Sequence, residues 1–96
     1  MVIKVSDIEA DLQLADKVIN DVIDELIRQR ELYSVQRHSD LAWLPILTEE
    51  LGEVAEALQK DSKAFKDTDS DNLEKELIQI AAVAISWVAC IRAREE

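Results

Sequence analysis

From Leu77 to Ile91 the chain reads LIQIAAVAISWVACI. At about 100° per residue its apolar side chains occupy nearly the whole circumference of a helix. Such a helix must be covered on all sides, and two companion helices cannot surround it. The simplest missing cover is a second copy of the chain in a shared helical bundle. The window is shorter than the roughly 20 residues that cross a bilayer. Because it also contains Gln79 and Ser86, it reads as a buried helix rather than a membrane span.

The rest of the chain supplies two helices. Ser6 followed by Glu9 makes a capping box. Beyond it Ile8, Leu12, Ala15, Val18, Ile19, Val22, Ile23, Leu26 and Ile27 recur at helical steps, predicting one long amphipathic helix to about Leu32 or beyond. The segment 34-SVQRHSD-40 interrupts the pattern, and Ser39 or Asp40 can cap a second helix with Pro45 near its start. Its main stripe is Leu44, Leu47, Leu51, Val54, Ala55 and Leu58. Gly52, mid-helix, is expected at a close helix–helix approach. A polar connector, 60-KDSKAFKDTDSD-71, follows, with Phe65 as a candidate anchor. Asp71 and Glu74 offer a capping box for the third helix, which runs from Asn72 to about Arg92.

With one Gly, one Pro and 48% hydrophobic residues in 96, the chain is predicted to be a single all-α domain of three main helices, completed by oligomerisation. The net charge of -10 opposes nucleic acid and anionic membrane and favours divalent cations. The single Cys90 lies in the apolar run, where a small buried hydrophobe is the expectation. The N-terminus lacks the pattern of a secretory signal, so a cytoplasmic location is expected.

Four glutamates break the apolar logic of 46-ILTEELGEVAEAL-58. Glu50 and Glu53 fall on the side that bears Trp43, Ile46 and Ala57, whereas Glu56 falls on the more exposed side. On the third helix Glu76 lines up with Ile80, Val83 and Trp87. A buried carboxylate without a cation costs several kcal/mol or takes up a proton. Inward carboxylates from two helices, with no His or Cys among them, form a hard oxygen site of the kind Mg²⁺ or Mn²⁺ prefers. Magnesium commonly binds through a few carboxylates plus substrate phosphates, which makes a nucleotide polyphosphate the natural ligand. The competing expectation is a solvated acidic face paired with Lys60 or with bases on another helix.

The run 49-EELGE-53, followed after 22 residues by 76-ELIQ-79, resembles the EExxE…ExxD pattern of the MazG-like all-α nucleoside triphosphate pyrophosphohydrolases. The likeness spans about Trp43 to Ile91. It implies Mg²⁺-dependent hydrolysis of a nucleoside triphosphate to the monophosphate and pyrophosphate, in a homodimer or dimer of dimers, as in nucleotide-pool house-cleaning. By position, Glu50, Glu53 and Glu76 become metal ligands, and Glu49 the base that orients the attacking water or a group supporting the ligands. The pattern's closing Asp is Gln79 here, whose amide oxygen can still meet Mg²⁺ directly or through water, but without charge. For the substrate, Trp43 offers a stacking surface, His38 a contact to phosphate or sugar, and Lys60, with Lys63 and Lys66, charge for the triphosphate. For Trp43 the commoner role is core, and for His38 an exposed loop.

Overall fold

The computed structural model describes residues 2–60 and 72–95 and consists, among these, of three helices: α1 (Val5–Tyr33), α2 (Asp40–Lys60) and α3 (Leu73–Ala93). Phe65, Lys63, Lys66, Asp71 and the side chain of Lys60 lie outside the described residues. α3 is the central element and packs against both α1 and α2. α2 runs antiparallel to it, since Asp40 at the start of α2 meets Trp87 late in α3 and Arg94 just past its end, while Glu50 and Glu53 meet Glu76 near its beginning.

Two of the helix starts differ from their sequence signals. Ser6 lies inside the first turn of α1, whose N-cap is Lys4 with no side-chain cap. α3 is capped by Asn72, whose Oδ1 accepts from the Lys75 backbone N–H at 2.9 Å, one residue later than Asp71. Asx side chains cap equally well in either frame, and position in the tertiary fold chooses between them. α2 begins as anticipated, with the Ser39 Oγ accepting from the Ala42 N–H at 3.3 Å. Pro45 stands inside the helix.

The core is compact and lies toward the C-terminal end of α3. Trp43, 1% exposed, packs with Val83 and Cys90, and Ile46, Leu47 and Trp87 close around them. At the rim the Trp87 indole N–H donates to Asp40 Oδ1 at 2.8 Å, and Arg94 Nη1 reaches the same oxygen at 3.0 Å. The Trp87 hydrogen bond and then the Arg94 guanidinium hold the Asp40 carboxyl below its ordinary range. Arg94 Nη2 also donates to the His38 carbonyl at 2.7 Å, which ties the α1–α2 connection to the end of α3.

Only one edge of the α2 stripe packs inside the chain, through buried Val54 and through Leu47 against the core. Leu44, Leu51 and Leu58 are each more than half exposed, whereas Trp43 and Ala57 on the neighbouring side are buried. Trp43 offers the larger apolar surface, and its side of α2 is the one turned to α3. Leu77, Ile85, Val88 and Ile91 of α3 are likewise exposed. By helical-wheel position the stripes Leu44–Leu51–Leu58 and Leu77–Val88–Ile91 turn to the same side of the antiparallel pair. The apolar circumference of α3 is thus covered on two sides and open on a third. Gly52 makes no close approach, since a Cβ there would meet nothing within 4 Å. The radius of gyration, 16.3 Å, exceeds the roughly 12.5 Å of a compact chain of this length. By length and composition α3 is also long and apolar enough to cross a membrane.

Candidate metal centre

Glu50 and Glu53 stand one turn apart on α2, and the helical offset of three residues points them to the same side. That side is turned to α3 because Trp43 and Ala57, in line with them, are buried there. Glu76 sits in the first turn of α3 and is 1% exposed. Between them the three residues bring one carboxylate oxygen each to within 4.8 Å of one another.

The electrostatics follow from this crowding. Burial, then repulsion from Glu76, raises the Glu50 carboxyl above its ordinary value. Glu53 is pushed up to about 7, by burial first and then by the Glu50 charge and its contacts with Glu76. One Glu50 oxygen, Oε2, is buried with no hydrogen-bond partner. Without a cation, Glu53 therefore keeps its proton to a higher pH than an ordinary carboxyl, because ionising it adds a charge to a half-buried site beside Glu50.

A pH dependence with a definite sign results. Glu53 has a folded pKa near 7 against an ordinary value of 4.5, so the folded state binds the proton more tightly than the unfolded chain. Stability is therefore greatest below about pH 4.5 for this group and is lost as pH rises toward and through 7. The metal-free protein is expected to melt at lower temperature at pH 8 than at pH 5.5, and Glu53→Gln to flatten that slope. Thermal denaturation followed by circular dichroism in chelator measures both. An equal slope in the variant removes Glu53 as the cause.

Three carboxylates suit a hard divalent cation. Octahedral Mg²⁺ at about 2.1 Å from each oxygen requires oxygen separations of about 3.0–4.2 Å. A set lying within 4.8 Å exceeds that spacing by no more than a few tenths of an ångström at its upper end. The donor set therefore fits Mg²⁺ or Mn²⁺, with water or phosphate oxygens left to complete the shell.

The other anticipated residues are distributed along the bundle. Glu49 is exposed beside the trio, and its charge is felt at Glu50. Gln79 lies one turn beyond Glu76, on the wall of a cleft of about 540 Å³ between α1 and α3. Trp43 is core, and its ring meets His38 edge-on at a centroid distance of 4.9 Å. His38 is half-buried there, and its carbonyl faces Cys90 and Arg94. Cys90 is 14 residues beyond Glu76, which is about 21 Å along the helix. Trp43 and His38 thus belong to the opposite end of α3 from the carboxylates, and the buried indole presents no face to a base. Glu56 is exposed, as its wheel position predicts.

The first helix contributes residues that the motif does not contain. Glu25, half-buried, lies near enough to raise the Glu50 pKa. It accepts two hydrogen bonds from Arg28, at 2.7 and 2.8 Å, and one from Gln29 at 2.7 Å. Arg28, with Lys75 of α3, also lines the cleft that Gln79 borders. The available signal was positional: Glu25 follows the buried Val22 by three residues, the same offset that marks Glu53 after Glu50. No protein-family model, curated protein or solved structure matches this chain.

Proposed function

We propose that this protein is a Mg²⁺-dependent nucleoside triphosphate pyrophosphohydrolase of the MazG-like kind, working as a homo-oligomer. The observation that carries the proposal is the convergence of Glu50, Glu53 and Glu76 from two helices, where burial first and then the neighbouring carboxylates push the Glu53 carboxyl up to about 7. Those three residues would hold the cation, which when bound supplies charge neutralisation at phosphorus. Glu49, adjacent and exposed, would orient a water and accept its proton, or support the ligands. Water attacks the α-phosphorus, the bond to the β-phosphate oxygen breaks, and pyrophosphate leaves. Lys75 on the cleft wall offers positive charge for a phosphate, whereas Arg28 is already paired with Glu25, and Asp21, Asp24 and Glu74 leave the lining acidic, so that phosphate would enter it with its cation. With Trp43 buried, base recognition falls to other residues. The direct test is pyrophosphate release from canonical and modified triphosphates with Mg²⁺. No release from any of them, with trio variants indistinguishable from wild type in metal binding, leaves the alternative of a non-catalytic helical interaction protein. In that alternative the bundle is kept and Gln79, standing where the pattern has Asp, marks a decayed or repurposed site.

Gln79 offers a finer test. Replacing its neutral amide by a carboxylate adds a charged oxygen beside Glu76, so Gln79→Asp is expected to tighten Mg²⁺ binding and keep or raise turnover. A Mg²⁺ titration of steady-state hydrolysis for wild type, Gln79→Asp and Gln79→Ala measures this. Equal affinities and rates in all three confine the protein ligands to the glutamates.

Oligomerisation belongs to the same proposal. Leu44, Leu51 and Leu58 beside Leu77 and Ile91 make an uncovered apolar face larger than a soluble monomer carries without a partner. A second copy meeting the same face closes a bundle of paired α2 and α3 helices by two-fold symmetry. At micromolar concentration the protein is expected to sediment as at least a dimer. Leu51→Glu is expected to weaken the dimer by about 100-fold or more, because an unpaired buried charge costs several kcal/mol. A folded 10.9 kDa monomer of wild type overturns this part of the reading.

A further inference from the structure

We infer that the N-terminal half of α1 is an exchange arm that seats in a groove on a second copy of the chain, making a contact that borders the α2–α3 face at Val88 and otherwise uses different residues. The arm's residues between Val5 and Asn20 are exposed except for a half-covered Ala15, although Ile8, Leu12 and Ile19 form a continuous apolar stripe on them. Only the later part of the helix, around Val22 and Leu26, packs within the chain.

The groove lies on α3. Ile85, Val88 and Ala89 form its apolar floor, Arg37 and Arg92 are its charged lining, and its volume is about 660 Å³. Ile85 and Val88 are nearly half exposed, and small Ala84, Ala89 and Ala93 let another helix approach closely. The charges are complementary. The arm carries Asp7, Glu9, Asp11 and Asp16 against one base, Lys17. On the wheel Asp11 and Asp16 fall on opposite flanks of the Ile8–Leu12–Ile19 stripe. An acidic amphipathic helix thus faces an apolar groove bearing two arginines, the arrangement by which a helix seats in a groove with its charges satisfied at the edges.

The occupant has to come from another molecule. Arg37 lies just past the C-terminal end of α1, and Leu12 is 21 residues before Tyr33, about 32 Å along a continuous helix. The arm cannot bend back to its own groove without breaking that helix. Reciprocal exchange between two copies closes the contact by a two-fold axis. The inference does not depend on the metal chemistry, and its test reads no activity.

Disulfide mapping in the full chain tests it. Leu12→Cys combined with Ile85→Cys is expected to give a covalent dimer or larger species on mild oxidation, whereas Leu12→Cys combined with Leu51→Cys is not. Cys90 is buried, and Cys90→Ser serves as the common background. Arg92→Asp is expected to reduce the cross-link yield several-fold and Asp11→Arg, Asp16→Arg in the same chain to restore it. Cross-linking to position 51 instead, no cross-link at either position, or an Arg92→Asp variant that links as fully as its parent overturns the proposal.

Discussion

Glu50→Gln and Glu53→Gln are each expected to lower Mg²⁺-dependent pyrophosphate release by at least about 100-fold, since even residues that merely orient metal ligands are worth 10–100-fold. The same variants separate a metal site from a solvated acidic face. In wild type, Mg²⁺ or Mn²⁺ at 100 times its dissociation constant is expected to add about 2.7 kcal/mol, a rise of about 10 °C or more in Tm for a domain of this size. Each variant is expected to lose most of that rise while melting higher than wild type in chelator, because the like charges around Glu50, Glu53 and Glu76 are relieved. An acidic face that merely attracts cations would show a small metal response, diminished equally by Glu56→Gln, whose side chain is exposed. Differential scanning calorimetry across a metal titration distinguishes the two outcomes.

Trp43→Ala is the second large effect, and it acts on the fold. The indole is 1% exposed and is the largest side chain of the core cluster with Val83 and Cys90. Its removal leaves a cavity between α2 and α3 and is expected to cost about 3–5 kcal/mol. That is a large share of the 5–15 kcal/mol typical of whole domains, in a chain that buries little of its surface by itself. Trp43→Phe, which keeps most of the volume, is expected to lose clearly less. Urea denaturation of the metal-free protein measures both. A loss under about 1 kcal/mol in Trp43→Ala, accompanied by weaker nucleotide binding, would return Trp43 to the substrate site.

The three helices were legible in the sequence because each rests on a local cause. The α1 repeat of Ile8, Leu12, Ile19, Val22 and Leu26, the break at 34–39 with its Ser39 cap, and the apolar run from Leu77 each declare themselves within a few turns of chain. The carboxylate trio was legible too. A glutamate on the side of Trp43 and Ala57, or in line with Val83, has nowhere to point but toward a neighbouring helix.

What the tertiary structure decided was which of two apolar sides each helix spends on its own chain. On α2 the exposed Leu44–Leu51–Leu58 edge of the stripe and the Trp43–Ala57 side, with Val54 between them, are both hydrophobic enough to be a core face, and periodicity cannot rank them. Packing against α3 ranks them, since only one side can meet Val83 and Cys90 while also carrying Asp40 to Trp87 and Arg94. The same choice sent Trp43 and His38 to one end of α3 and Glu50 and Glu53 to the other. It also brought Glu25 of α1 within electrostatic reach of Glu50. Sequence spacing determines which residues share a helix face, because that depends only on the helical repeat. Which faces meet is settled by the long-range fit of whole helices, and no single segment contains that information.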